Sequence, residues 1–355
     1  MKIFLIVCLH LAAVATCSQA AATPKCTESI TTITTAATNY DISTGNSHPP
    51  NATVPVSGPF GIQLRFCEPT ARVPGRQDVL QVLLGGITYN AAYWDSAFEP
   101  DKYNYVRFAA ARGYATLNIA RLGYGKSDHP DPVLIQAPFD VAIIREIIKL
   151  ARRGRIPGAR RRFGRIVAVG HSYGSIILNG VIAAEPMLTD AVVLTGYSHY
   201  LADQSDISAL VDVGPARDRD PAKFGHLPPD YITTRNASSR AAGFYGPEGT
   251  FDPAALLYDE ANKDTTTIGE LITEDTTMVV APQYRGDVFT VNGAQDWLFC
   301  VDAACSNLAQ EAQYYPAARS VDFAAVPNTG HSLNFQLSAA SFYASIHDWL
   351  DRNRF

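Results

Sequence analysis

Charge is scarce in this 355-residue chain: Asp, Glu, Lys and Arg make up 18% of it, and acidic residues outnumber basic ones by 34 to 29, for a formal net charge of -5. Without a cationic surplus the chain lacks the global pull toward nucleic acid or an anionic membrane. Long apolar runs are missing beyond the extreme N-terminus and the mean hydropathy is -0.03, which excludes a multi-spanning membrane protein and leaves no stable membrane span. Neither H-E-x-x-H nor G-x-x-x-x-G-K-[ST] occurs, and the cysteines follow no zinc pattern, so metalloprotease and P-loop readings have no motif and no cofactor is expected. No internal repeat is visible. What is present is 47% hydrophobic residues, enough for a sizeable core in one large domain or two modest ones.

The one apolar run lies in residues 1–20. Lys2, the stretch Ile3 to Ala15 and the small residues of Ser18-Gln19-Ala20 read as a secretory signal peptide, because about 13 apolar residues interrupted by His10 are too few to span a bilayer. Cleavage after Ala20 or Ala22 removes Cys8 and Cys17 and leaves Cys26, Cys67, Cys300 and Cys305. In the oxidising compartment that secretion implies, four cysteines allow three pairings; local spacing favours Cys300 with Cys305 and, by elimination, Cys26 with Cys67. Sequons at Asn51 and Asn236 fit a secreted glycoprotein.

Residues 21–60 read as an N-terminal extension rich in Thr, Ser, Asn and Pro, with an edge strand expected over Glu28 to Thr35. Over residues 61–355 short apolar strands alternate with helical periods. Strands are expected at Val79–Leu84, Tyr114–Ala120, Ile166–Val169, Ala191–Leu194, Val288–Val291 and Val321–Phe323. Helices are expected around Lys102 to Arg112 and from Tyr173 to Ala184, and two more carry one-sided apolar faces. Phe139, Ile143, Ile144, Ile147, Ile148 and Ala151 form one face; Ala339, Phe342, Tyr343, Ile346, Trp349 and Leu350 form the other. Such alternation predicts an α/β fold with a mostly parallel sheet flanked by helices. Between about 197 and 276 it stops, and a structureless loop of that length is improbable, so an inserted cap with its own small core is expected.

Gly170-His171-Ser172-Tyr173-Gly174 directly follows an expected strand and precedes an expected helix, the context of the G-x-S-x-G nucleophile elbow. Chance would produce the bare pattern about 0.1 times in such a chain. A serine is a weak nucleophile at neutral pH and needs a histidine base oriented by a carboxylate. His331 follows the turn-forming Pro327-Asn328-Thr329-Gly330 beyond the last expected strand, which makes it the best base; His171 reads as a packing residue. Asp296, in Gly293-Ala294-Gln295-Asp296 after the strand ending at Val291, is the leading acid, with Asp302 its rival.

The order Ser172, Asp296, His331 resembles that of the α/β-hydrolase superfamily, in particular the capped, secreted, esterase- or lipase-like serine hydrolases of filamentous fungi. Leu83-Leu84-Gly85-Gly86-Ile87 at a strand end and Arg121-Leu122-Gly123-Tyr124-Gly125-Lys126-Ser127-Asp128 are similar to two further family turns, and the resemblance spans about Gly61 to Phe355. It implies the α/β-hydrolase fold and an oxyanion hole made by the backbone N–H groups of Ile87 and Tyr173. Gly85 departs from the family, many of whose members have histidine there. The reading is a secreted hydrolase of small carboxylic esters or lactones working through an acyl-enzyme; an acyltransferase or tailoring hydrolase with the same triad, or a silent binding protein on this scaffold, stay open, and the oligomeric state is not fixed. Two other features invite comment. Eight basic residues between Lys149 and Arg165 read as a solvated helix end, against an anion-binding patch or a dibasic processing site. The aromatics of the cap suit either its packing or an apolar pocket; Tyr89 and Trp94, which follow the oxyanion loop, are candidates to border the acyl site, with a core place the better reading for Trp94.

Overall fold

The structure is a computed structural model that describes residues 22–42, 52–203, 207 and 210–355. The signal-peptide reading of residues 1–20, and with it Cys8, Cys17 and His10, lies outside the described residues, as does Asn51 of the first sequon.

Eight strands form one sheet in the order β1-β2-β4-β3-β5-β6-β10-β11, made of β1 (Cys26–Tyr40), β2 (Thr53–Cys67), β3 (Val79–Leu84), β4 (Ala115–Ala120), β5 (Arg165–His171), β6 (Ala191–Thr195), β10 (Asp287–Gly293) and β11 (Ser320–Val326). β1 and β2 pair antiparallel, as do β2 and β4, and every other neighbouring pair is parallel. Every residue of β3, β4, β6 and β10 is buried, as a parallel sheet covered by helices on both faces requires. The covering helices include α1 (Tyr105–Ala111), α2 (Ala137–Arg152), α3 (Tyr173–Ala184) and, at the C-terminus, α7 (Ala339–Arg352). α2 begins with a proline in its first turn and ends with Lys149 and Arg152 in its last, both favourable to a helix at those ends. It buries the six apolar residues expected on one face, each side chain of the Ile or Phe type stabilising by about 1.5–3 kcal/mol. An Ile147→Ala change would cost about 2–5 kcal/mol through the cavity it leaves.

The N-terminal region differs from expectation. The strand expected over residues 28–35 is the middle of a 15-residue strand, and a second 15-residue strand, β2, pairs along its whole length. The boundary expected at residues 60 and 61 falls inside β2, whose far half, Gln63 to Cys67, pairs with β4 and joins the hairpin to the main sheet. Pro55, Pro59, Gly58 and Gly61 disguise β2, since proline and glycine ordinarily punctuate strands. Cys26 faces Cys67 in register and the two are disulfide-bonded, and Cys300 is bonded to Cys305.

Between β6 and β10 the chain leaves the main sheet. This insert holds a three-stranded antiparallel sheet of β7 (Val213–Pro215), β8 (Tyr231–Thr234) and β9 (Thr266–Thr267), with α4 (Ala237–Phe244), α5 (Pro253–Asn262) and α6 (Ile268–Thr273). Asn236 of the second sequon is exposed and caps α4, its side chain accepting from the N–H groups of Ser238 and Ser239. Because β3 to β11 of the main sheet run parallel, the loops after β3, β5, β6, β10 and β11 all emerge at one edge, which is where such sheets carry their sites. No helix among the described residues is long and apolar enough to cross a membrane.

Candidate active site

Ser172 sits at that edge, between the last residue of β5 and the first of α3, with φ 54° and ψ -123°. A non-glycine residue is held there only when its surroundings over-determine it. The turn is tight because its flanking glycines allow contact: a Cβ on Gly174 would lie 2.6 Å from the Leu84 carbonyl oxygen, and one on Gly86 would lie 2.8 Å from the Ser172 Cβ. The loop after β3 therefore passes directly over the serine. Among the described residues, neither the Ile87 N–H of that loop nor the Tyr173 N–H at the start of α3 is engaged in a hydrogen bond. Gly85, which replaces the family's histidine, has the Tyr89 carbonyl oxygen 2.9 Å from where a Cβ would stand, so the loop is folded for glycine at that position.

His331 lies in the loop after β11 and Asp296 in the loop after β10. Both are buried, and His331 Nδ1 is 2.8 Å from Asp296 Oδ2, while the Leu298 N–H donates to Asp296 Oδ1 at 3.1 Å. The carboxylate thus fixes the ring and leaves Nε2 as the free nitrogen. Phe299 stacks on the imidazole with centroids 5.6 Å apart, which holds its plane. A hydrogen bond between Ser172 Oγ and His331 Nε2 is not formed. Asp302 is exposed and accepts from the Ala304 and Ser306 N–H groups in the disulfide loop; it does not reach His331. Ser172, Ile87, Tyr173, Asp296 and His331 therefore come together at one edge, and Asp302 does not.

His171 is buried, stacks on Tyr93 with centroids 4.3 Å apart, and puts Nδ1 3.2 Å from Thr195 Oγ1. Burial, reinforced by the neighbouring His331 ring, lowers its pKa well below the usual histidine value, so it stays neutral beside His331.

An arginine that opens the family-like turn after β4, and to which no role was assigned, also holds the loop. Arg121, fully buried after β4, donates to the Gly86 carbonyl at 3.1 Å, pairs with Glu270, and lies 3.3 Å from Asp140. The planar trans peptide makes the Gly86 C=O and the Ile87 N–H point opposite ways, so fixing the first aims the second. Burial, ahead of the attraction of Arg121 and with Glu270 alongside, raises the Asp140 carboxyl well above the usual range. Tyr124 donates to Glu270 at 3.0 Å, and the guanidinium packs on the Tyr124 and Tyr173 rings.

The serine opens on a cavity of about 50 Å³ lined by Ile87, Tyr173, Val211, Phe244, Leu271 and Phe299 and by one carboxyl residue, Glu274. Four of these seven come from the insert, which lies over the serine. The insert is also tied to the neighbours of His331 and Asp296: the Ser332 N–H donates to the Phe244 carbonyl at 2.6 Å, and Trp297 Nε1 donates to the Gly243 carbonyl at 3.0 Å. No group of three or more metal-ligating side chains occurs among the described residues.

A serine on a strand-to-helix elbow after β5, a carboxylate after β10 bonded to a histidine after β11, and an eight-stranded mostly parallel sheet are features of the α/β-hydrolase class. The model of the Alpha/beta hydrolase family matches residues 81–344, and the chain belongs to that family. Solved structures similar in fold include a thermophilic esterase from Thermogutta terrifontis, at 13% identity and a TM-score of 0.57 over 83% of this chain and 95% of that one. A bromoperoxidase from Bacillus anthracis is similar at 14% identity and a TM-score of 0.57, over 83% and 96% of the two chains. The E-2-(acetamidomethylene)succinate hydrolase is similar at 20% identity and a TM-score of 0.51, over 82% and 96%. No curated protein matches the chain.

Proposed function

We propose that the protein is a secreted serine hydrolase that cleaves small carboxylic esters or lactones through an acyl-enzyme. The observation that carries this reading is the convergence of a strained Ser172, two unengaged N–H groups beside it and the 2.8 Å His331–Asp296 contact at one sheet edge. Ser172 Oγ attacks the carbonyl carbon while His331 Nε2 takes its proton. The carbonyl oxygen becomes an oxyanion facing the Ile87 and Tyr173 N–H groups. Collapse breaks the ester C–O bond, and His331 returns the proton to the leaving oxygen. A water then repeats the sequence, adding to the acyl carbon and releasing the acid and Ser172. Asp296 keeps the imidazole in the tautomer with the proton on Nδ1 and stabilises its charged form. The Ser172–His331 hydrogen bond closes as substrate enters, a tightening common to such sites. The small apolar cavity favours a short aliphatic acyl group. The signal-like N-terminus and the two disulfides support secretion.

The test is a fluorophosphonate probe applied to the wild type and Ser172→Ala, followed by turnover of p-nitrophenyl esters from acetate to palmitate. The expected result is labelling of the wild type alone and Ser172-dependent turnover that falls with acyl length. Full turnover by Ser172→Ala, or no labelling of folded wild type, would sink the reading. Asp296→Asn should lose about 10³–10⁴-fold in kcat, while Asp302→Asn stays at wild-type rate.

A further inference from the structure

The loop that carries Ile87 has a second hold besides Arg121, and it comes from a residue of the insert. Arg240 on α4 is fully buried and grips Asp259 on α5 with two hydrogen bonds, Nη2 to Oδ1 at 2.7 Å and Nε to Oδ2 at 3.1 Å. Its remaining nitrogen, Nη1, donates to Thr88 Oγ1 at 2.9 Å. Thr88 is the residue after Ile87 and has φ 57°, a left-handed conformation that β-branched residues ordinarily avoid. Its carbonyl also accepts from the Asp264 N–H at 2.8 Å, again from the insert. On the other side, Asp259 Oδ2 receives the Tyr245 hydroxyl at 2.9 Å and lies 3.4 Å from the Tyr89 hydroxyl. That Tyr89 hydroxyl also lies 3.0 Å from Ser332 Oγ, one residue from His331, so a Ser332 O–H given to the Tyr89 oxygen leaves the Tyr89 O–H for Asp259. The guanidinium packs 4.7 Å over the Tyr89 ring. One buried ion pair therefore touches the residue that follows the oxyanion donor and, through the Tyr89 hydroxyl, reaches the residue that follows the base.

We infer that the Arg240–Asp259 pair is a positioning latch that sets the Ile87 N–H and His331 in register with Ser172. The inference rests on the ester-hydrolase reading for its kinetic consequence but not for its structural one. Arg240 holds Thr88 in its left-handed conformation, which sets the Ile87–Thr88 peptide, the one next along the chain from the peptide that carries the Ile87 N–H. Asp259, through Tyr89, ties the Ser332 side of the base loop to the same anchor. The insert is thereby part of the machinery's frame as well as the wall of the pocket, and neither Arg240 nor Asp259 needs to touch substrate.

Thr88→Val keeps shape and β-branching but removes the acceptor, and leaves the Arg240–Asp259 pair intact. Thr88→Ser restores the acceptor. Thr88→Val should lower kcat about tenfold with KM within about twofold, as expected when an oxyanion donor is loosened but not lost, and Thr88→Ser should recover most of it. Amide hydrogen exchange should rise at residues 87–89 in Thr88→Val and not in Thr88→Ser. Tyr89→Phe, which deletes only the bridging hydroxyl, should raise exchange at residues 330–332 and serves if Thr88→Val does not fold. Unchanged exchange in both loops, equal losses in Val and Ser, or a change in KM alone would overturn the latch. A wild type with no turnover would refute the ester-hydrolase reading instead, and the exchange measurements would still decide the latch.

Discussion

Two sets of arginines divide this molecule. Arg153, Arg155, Arg160, Arg161 and Arg162 follow α2 at the edge of the sheet where β5 begins; they are exposed, and among the described residues they form no ion pair. Arg121 and Arg240 stand alone in the sequence, are fully buried, and bond two residues, Gly86 and Thr88, of one loop beside Ser172. The conspicuous run acts as solvated charge whose energetic weight is small, whereas a solitary buried guanidinium bonded to carboxylates and to a carbonyl or a hydroxyl is costly to disturb. Density of charge along a chain is thus a poor guide to what charge does in the fold. Enclosure and the number of partners decide it.

The comparison breaks most readily at Arg121. Arg121→Met strands Glu270 without a counter-charge, and a loss of about 3–5 kcal/mol in urea unfolding is expected. Joint replacement of the other pair sharpens the contrast: Arg240→Met with Asp259→Leu should stay within about 2 kcal/mol of wild type in the same assay, because an ion pair removed whole leaves no buried charge, while Arg240→Met alone falls much further. His347 extends the comparison to a cation that burial forbids. It lies among the Tyr105, Phe108 and Tyr114 rings with neither nitrogen partnered, and burial, then Arg112 and Arg76, lowers its pKa well below the usual value. The unfolded chain takes up that proton below pH about 6.5 and the folded chain does not, so this stability is complete above that pH and falls as the pH drops. His347→Phe should reduce the loss of stability between pH 7 and pH 5 by about 2 kcal/mol, read from urea midpoints at the two pH values. Smallest of all, Arg160→Gln with Arg161→Gln and Arg162→Gln should leave unfolding within about 0.5 kcal/mol of wild type.

The same contrast explains how much could be read from the sequence. Ser172 was legible because its chemistry is local: five consecutive residues specify the turn, the strand before it and the helix after it. Asp296 and His331 were legible because each follows the end of an apolar strand, and parallel strands bring such ends to one edge. Choosing Asp296 over Asp302 followed from the same placement, since Asp302 lies further along, in the exposed loop closed by Cys300 and Cys305. Glu270 is 149 residues from Arg121, and Thr88 is 152 from Arg240, so no periodicity or spacing connects them. Asp259, 19 residues from Arg240, sits on the next helix of an insert whose packing leaves no simple pattern in the sequence. β2 was missed for an opposite reason: its prolines and glycines speak locally against a strand, and pairing on both sides overrides them.

The in-register bond between Cys26 and Cys67 closes the first hairpin into a covalent ring. A peptide bond cut anywhere between those two cysteines opens the ring without dividing the molecule. Such a nick would be silent on a non-reducing gel and would separate two fragments only after a thiol reductant, so intact migration of this protein is no sign of an intact backbone.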